Sequence, residues 1–373
     1  MSIMAEIIKT EEKGRIQSRT GRLKVKKIEK FKRISLFLAM TFVFIFFVLA
    51  LNSESKEKVR YREKKRISMA VEFVDHAASA HIAKSKGWFK AEGLKVSAFD
   101  NYITGMALAA ALTRGDINVA YVCLIPAISA YANGKVPIKV VAGTHKYGYG
   151  LLVDPKKIKT ISDLKKPGIR IGCPREGAPP DCLLHKMIDK YHLDESSILK
   201  KIRRMPPPKV LFALKMGQLD AGFCCEQFPT MGEELGFKVL LTAQDLWPDM
   251  QGSVLVVKED LIRDHPEIVK KLVKITERGI QYIHEHPEDA AIIAAGALTV
   301  AGKKVLPLKI GKIASGLEIT PEVILRSLTT RMECTTDIDP GQVQKSINYM
   351  AKLGYIKWFK AENILDLRFL HND

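Results

Sequence analysis

ISMAVEFVDHAASAHIAKSKGWFKAEGLKVSAF, residues 67–99, reads as strand, helix and strand in turn. ISMAVEF (67–73) is an apolar run of strand length, long enough to be buried on both faces. An amphipathic helical pattern follows to Lys86, and Gly87 closes it. Leu94–Phe99 then returns as a second strand. Outward from this unit the alternation continues: a helix over 105–113 with Thr104 as its N-cap, a strand Ile117–Leu124, a helix Ile125–Asn133 and a strand Val136–Gly143. Strands separated by helices of about ten residues predict parallel pairing and an α/β sheet.

The alternation then starts again. Strands are predicted at Leu151–Val153, Gly168–Cys173, Leu199–Met205, Leu219–Cys225 and Phe237–Leu241, with helices at Asp181–Tyr191, Pro208–Met216 and Phe228–Leu235. Beyond Trp247-Pro248 one more apolar strand, Ser253–Val257, precedes a mainly helical remainder with patterns over 266–286, 288–297, 321–328 and 340–353. The chain thus crosses to a second α/β unit and comes back. The expected architecture is two Rossmann-like lobes joined by a two-segment hinge, with a helical C-terminal extension. Lobe one takes 67–150 and 251–373, and lobe two takes 151–250. Ligands of open parallel sheets sit at the carboxyl ends of the strands, so two such sheets facing each other converge on one cleft.

The N-terminal part is of another kind. Residues 34–51, ISLFLAMTFVFIFFVLAL, hold no charge and at about 1.5 Å per residue match a bilayer's hydrocarbon thickness. Residues 1–52 carry 11 Lys/Arg against 4 Asp/Glu. The basic 1–33 is therefore expected in the cytoplasm, 34–51 as an uncleaved membrane anchor, and everything after residue 52 outside. A cleaved signal peptide ending at Val48-Leu49-Ala50 is the alternative. SESKEKVRYREKKR (53–66) reads as part of a charged tether over 52–66.

Composition narrows the function further. The net charge is +18 over 373 residues, with 47% hydrophobic and 27% charged residues. The basic residues after residue 66 are scattered without an aromatic-basic stripe, so nucleic acid is not an expected partner. The six cysteines make no CxxC pair and no metal-ligand spacing with His, so no metal is expected and buried free thiols are. Cys173 and Cys182 are the pair that a strand-to-helix loop brings near enough for a disulfide. There is no Gly-x-Ser-x-Gly elbow, P-loop or HExxH, so no catalytic residue and no cofactor is assigned.

Several short stretches, in order, resemble the type-2 periplasmic solute-binding proteins of ABC importers, in the branch serving nitrate, bicarbonate, taurine, sulfonate and pyrimidine uptake. GWFKAEGLKV (87–96) is similar to that branch's turn into the second strand, and ALTRGDINVA (111–120) to its helix-to-strand passage. SDLK (162–165) before IRIG (169–172), MPPP (205–208) before ALKMGQLDA (213–221), EQFP (226–229) and the pair HPE (265–267) and HPE (286–288) complete the series. The resemblance spans about 67–300. It implies capture of a small polar ligand by lobe closure and delivery to a separate permease and ATPase. The thiamine-pyrimidine synthase that shares the fold, which uses pyridoxal phosphate, His and iron, is a rival, and an exported sensor is another. Departures lie at Gln227, at Arg175-Glu176-Gly177-Ala178 where the family writes a Ser, and at 298–320, which looks like an extra segment.

The candidate ligand-binding residues follow from the expected strand ends. In lobe two the loop Cys173–Asp181 offers Arg175, Glu176, Gly177 and Ala178 at a helix N-terminus suited to an anion. Glu226 is placed past a strand end, either in the cleft or capping the next helix. In lobe one Asp75 and His76 follow the first strand, Tyr102 and Thr104 precede the second helix, Cys123 lies near the end of the third strand and His145 follows the fourth. A surface turn for Arg175, an N-cap for Asp75 and a hinge position for His145 are their ordinary structural alternatives.

Overall fold

The computed structural model describes residues 66–306 and 318–370. The segments 1–33 and 34–51, nearly all of 52–66 and, within 298–320, residues 307–317 lie outside the described residues. Among the described residues no helix is long and apolar enough to cross a membrane.

The strands are β1 (Ile67–Glu72), β2 (Val96–Tyr102), β3 (Val119–Cys123), β4 (Ile138–Gly143), β5 (Lys146–Tyr147), β6 (Tyr149–Val153), β7 (Ile171–Cys173), β8 (Ile202–Arg204), β9 (Ala221–Cys225), β10 (Lys238–Thr242), β11 (Ser253–Lys258) and β12 (Met332–Glu333). They form two five-stranded sheets, ordered β2-β1-β3-β11-β4 and β10-β6-β9-β7-β8, and a small β5-β12 pair. Read from the β8 edge, the second sheet repeats the first: second strand, first, third, crossing strand, fourth.

The parallel expectation holds for β1 with β2 and β3, and for β7 with β8 and β9. It fails for β11 and β6, which run antiparallel to both of their neighbours. Each of these strands carries the chain between the lobes and so enters its sheet from the opposite end. All five residues of β3, β6 and β9 are buried, as are five of the six in β11. That is why these segments read as unbroken apolar runs rather than alternating ones.

Two other expectations shift. The predicted strand Leu199–Met205 divides into the end of a helix, Glu195–Leu199, and the short β8. The predicted helix 321–328 ends at Arg326 and loosens into a π-helical turn, Ser327–Arg331. All six cysteines are buried free thiols, so the Cys173–Cys182 disulfide is not formed.

The C-terminal part touches both lobes rather than lobe one alone. Arg331 forks onto both carboxylate oxygens of Glu233, each at 2.7 Å. Tyr349 and Lys352, in or at the end of the helix Pro340–Lys352, reach Asp189. Asn133 Nδ2 donates to the Tyr355 carbonyl, while the Tyr355 hydroxyl donates to Asp181.

Candidate functional site

A cavity of about 370 Å³ opens where the carboxyl ends of β1 and β3 face those of β7, β8 and β9. Lobe one supplies Glu72, Val74, Cys123 and the segment 103–106; lobe two supplies Pro174, Arg175, the segment 178–180, the segment 204–207 and Cys225. Six of the lining residues are prolines. Their fixed φ and missing N–H give rigid, largely apolar walls.

Glu72 ends β1 as the charged residue of an otherwise uncharged strand, and only 5% of its surface is exposed. Its Oε1 accepts from the Cys123 backbone N–H at 2.8 Å, and its Oε2 from the Cys123 thiol at 3.1 Å. Space for it depends on Gly105, the first residue of the helix Gly105–Arg114: a Cβ there would lie 2.1 Å from Glu72 Oε1. Burial pushes the Glu72 carboxyl up, against the two hydrogen bonds from Cys123. Burial and the neighbouring Glu72 push the Cys123 thiol well up.

His76 lies 3.6 Å from Cys123 Sγ through its Nδ1. Its other nitrogen, Nε2, is 3.0 Å from the Gly148 carbonyl, which fixes the proton on Nε2 and leaves Nδ1 a bare lone pair. Gly148 has φ +83°, and a Cβ there would stand 2.8 Å from His76 Nε2. Burial, then the His145 ring at a centroid distance of 4.2 Å, holds His76 well below the usual imidazole range. The Tyr149 hydroxyl donates to Cys123 Sγ at 3.0 Å.

On the opposite wall, Arg204 donates to the Pro174 carbonyl at 2.8 Å and to Asp181 at 2.6 Å, which locks the loop after β7. Asp181 is fully buried and also accepts the Gly177 N–H at 3.1 Å. The Ala178 N–H is taken by the Arg175 carbonyl. The helix N-terminus expected to receive an anion is therefore filled by the chain's own carboxylate.

Of the sequence candidates, Thr104, Cys123, Arg175 and Ala178 line the cavity. Thr104 also caps its helix by accepting the Ala107 N–H. His76 reaches the cavity's edge through Cys123, whereas Glu176 is exposed and Gly177 faces Asp181. Tyr102 belongs to β2 rather than to a loop, and lies in a separate groove against the helix Pro287–Val305. Strand β2 stays paired with β1 as far as Tyr102, so no loop carries that ring to the cleft. Glu226 is 1% exposed and accepts both the backbone N–H and the hydroxyl of Thr230, which is the capping alternative. Asp75 is buried beneath the cleft, held well above the carboxylate range by burial and by Glu226. His145 has both ring nitrogens engaged, one near the Lys146 carbonyl and one accepting the Ser253 N–H.

Sequence reasoning missed Glu72, Arg204 and Met205. The signal for Glu72 was present: a lone acid closing a buried strand. Linear spacing pairs no cysteine with a histidine, but the fold brings one ligand atom each of Glu72, His76 and Cys123 within 4.8 Å of one another. They come from a strand end, a 3₁₀ turn and a second strand end, which linear spacing does not register.

Known proteins agree with this architecture. The solved ligand-binding component of an ABC-type import system from Staphylococcus aureus superposes with a TM-score of 0.66 at 17% identity, covering 82% of this chain and 97% of that one. The alkanesulfonate-binding protein of Xanthomonas axonopodis pv. citri gives 0.63 at 18%, covering 81% and 95%. These likenesses establish the periplasmic-binding-protein fold. In sequence, the taurine-binding periplasmic protein of Escherichia coli K12 is 25% identical over 215 residues, 57% of this chain and 65% of that protein. A Brucella abortus protein named as a binding protein is 28% identical over 225 residues, 59% of this chain and 67% of its own length. The NMT1-like family model matches residues 60–298, well over half of the chain, and the protein belongs to that family.

Proposed function

We propose that this chain is the extracytoplasmic solute-binding subunit of an ABC importer, which closes two lobes over a small organic ligand and hands it to a permease. The observation that carries this reading is the cavity at the strand ends of both sheets, walled by each lobe. Its size lies in the range of small-molecule sites, and its apolar lining with a few convergent polar groups is their usual chemistry. The segment 34–51 serves as the anchor that keeps the protein beside its permease, raising the local concentration there.

The lining favours a flat organic body bearing a hydrogen-bond donor, of the aminopyrimidine kind, over nitrate or bicarbonate. A small inorganic anion surrenders its hydration and needs several donors in return. Here the loop N–H groups of Gly177 and Ala178 are already bonded, and the Glu72 carboxylate stands at the cavity floor. The proline walls suit an aromatic ring, Glu72 accepts from an amine, and Arg175 at the rim meets an anionic substituent.

Calorimetric titration of the full chain with aminopyrimidines, nitrate, bicarbonate and taurine tests this. Saturable binding of an aminopyrimidine, removed when Met205→Trp fills the cavity, is the expected result. Tight binding of nitrate or taurine with silent aminopyrimidines would sink the ligand class while leaving the binding role intact. For the anchor, alkaline carbonate extraction should leave the chain in the membrane pellet.

A further inference from the structure

The geometry points to a divalent-cation site at the floor of the cavity, formed by Glu72, His76 and Cys123, of a kind suited to zinc. We infer this from four features that stand apart from any cargo. The three ligand atoms are a thiol sulfur, an imidazole nitrogen and a carboxylate oxygen, the set that a borderline-soft cation selects. Two of their separations are nearly right, and the third is within 4.8 Å. Zinc bond lengths in a tetrahedral arrangement place such atoms about 3.4–3.6 Å apart. Cys123 Sγ lies 3.6 Å from His76 Nδ1 and 3.1 Å from Glu72 Oε2, so seating an ion opens the second contact by about half an ångström.

The supporting groups are also in place. His76 Nε2 points at the Gly148 carbonyl, which leaves Nδ1 unprotonated and aimed at the cluster. The Cys123 backbone N–H holds Glu72 Oε1, so the carboxylate binds through its other oxygen. The Tyr149 hydroxyl donates to the sulfur and steadies a thiolate. Finally, all three side chains are at most 5% exposed, yet Glu72 and Cys123 line the cavity. A cation seated there keeps one coordination position turned to the cavity, open to water. Completion of that position by a heteroatom of the cargo rests on the cavity being the ligand site; the cation site itself does not.

Charge and proton balance are simple. One M²⁺ enters, the Cys123 thiol proton leaves to solvent, and thiolate plus carboxylate neutralise the ion. No redox partner is needed.

The test is titration of the metal-stripped full chain with Co²⁺ alone, followed by competition with Zn²⁺. We expect one equivalent to bind, with a thiolate-to-cobalt charge-transfer band and visible bands of tetrahedral intensity, both erased by Zn²⁺. Cys123→Ser removes the charge-transfer band, and His76→Gln and Glu72→Gln each weaken binding at least tenfold. Cys225→Ser, which changes the other cavity thiol, leaves the spectrum unchanged. Absence of stoichiometric binding in the wild type overturns the proposal, and so does a charge-transfer band that survives Cys123→Ser. Should those variants fail to fold, X-ray absorption on the zinc-loaded wild type decides: one sulfur with nitrogen and oxygen neighbours supports the site, and a sulfur-free or two-sulfur shell refutes it. None of these readouts depends on a cargo, so a failed ligand screen leaves the result interpretable.

Discussion

The Tyr355 hydroxyl donates to Asp181 Oδ2 at 2.6 Å, while the Tyr355 carbonyl accepts from Asn133 Nδ2 at 2.9 Å. One residue of the C-terminal tail thus joins the end of a lobe-one helix to the buried carboxylate that organises the lobe-two loop. Separating the lobes pulls on both ends of this link, and the hydroxyl bond to Asp181 is one of the contacts that hold it closed. Tyr355→Phe should favour the open form by about 1 kcal/mol, the net worth of one hydrogen bond, and weaken ligand binding about fivefold. Titration of both proteins with the same ligand checks this; unchanged affinity would show that the tail does not bias closure.

Glu226 gives the protein an alkaline weakness. Burial raises its carboxyl to about 7, against the hydrogen bonds from Thr230. The ordinary value is 4.5, so the folded protein holds this proton more tightly than the unfolded chain does. The associated stability is full below about pH 4.5 and is lost as pH rises through 7, a change on the order of 3 kcal/mol. Glu226→Gln keeps an acceptor for Thr230 and removes the titration. Its melting temperature should fall less than the wild type's between pH 5 and 8; parallel curves would mean that Glu226 stays ionised throughout.

Asp220 works in the other direction. It is 1% exposed and accepts from the Arg170 backbone N–H and guanidinium and from Lys157. Burial acts to raise its carboxyl, but these bonds overcome it and hold it well below the normal range. Its contribution is present above the unfolded value of 3.8 and is lost as pH falls further. Asp220→Ala leaves the Arg170 N–H without its acceptor and should cost about 2–3 kcal/mol in urea unfolding at pH 7. The deficit should shrink at pH 3, where the unfolded wild-type chain begins to take up the proton that the folded protein still refuses.

Gly105 is the steric key to the cavity floor. Its absent side chain leaves the space that Glu72 Oε1 fills, and Pro126 Cγ would be 2.8 Å from an added Cβ. Gly105→Ala must displace Glu72 from Cys123 or shift the helix. Overpacking of this kind costs about 1–3 kcal/mol. We expect a lower melting temperature together with loss of cobalt binding, measured on the same sample. Retention of cobalt binding would show that the helix, rather than Glu72, gives way.

The lobes were legible because their central strands are apolar on both faces and are punctuated by glycine or proline. Strand β2 was less so. VSAFDNY places Asp100 and Asn101 in an edge strand, where partial exposure tolerates them, so the strand appeared to stop at Phe99 and Tyr102 appeared to lie in a loop. Similarly, Leu199 reads as the start of the strand that becomes β8, and only the Asp194 cap, accepting the Ser197 N–H, reveals that a helix runs through it. The loop after β7 is a comparable case. A helix N-terminus is recognisable in sequence, but its occupation by Asp181 depends on Arg204 and Tyr355, 23 and 174 positions away.

The hinge has a consequence for modularity. The chain leaves for lobe two beside the point where it returns: the Tyr147 N–H bonds to the Met250 carbonyl at 3.0 Å, and the Gly252 N–H to the His145 carbonyl at the same distance. A unit whose entrance and exit touch behaves as an insert, which can be gained, lost or exchanged without unravelling its host. Lobe two could therefore be replaced by a related lobe of different specificity, grafted between Lys146 and Gln251, with Glu72, His76 and Cys123 staying in the host provided that the graft keeps Gly148 and Tyr149, which hold His76 and Cys123.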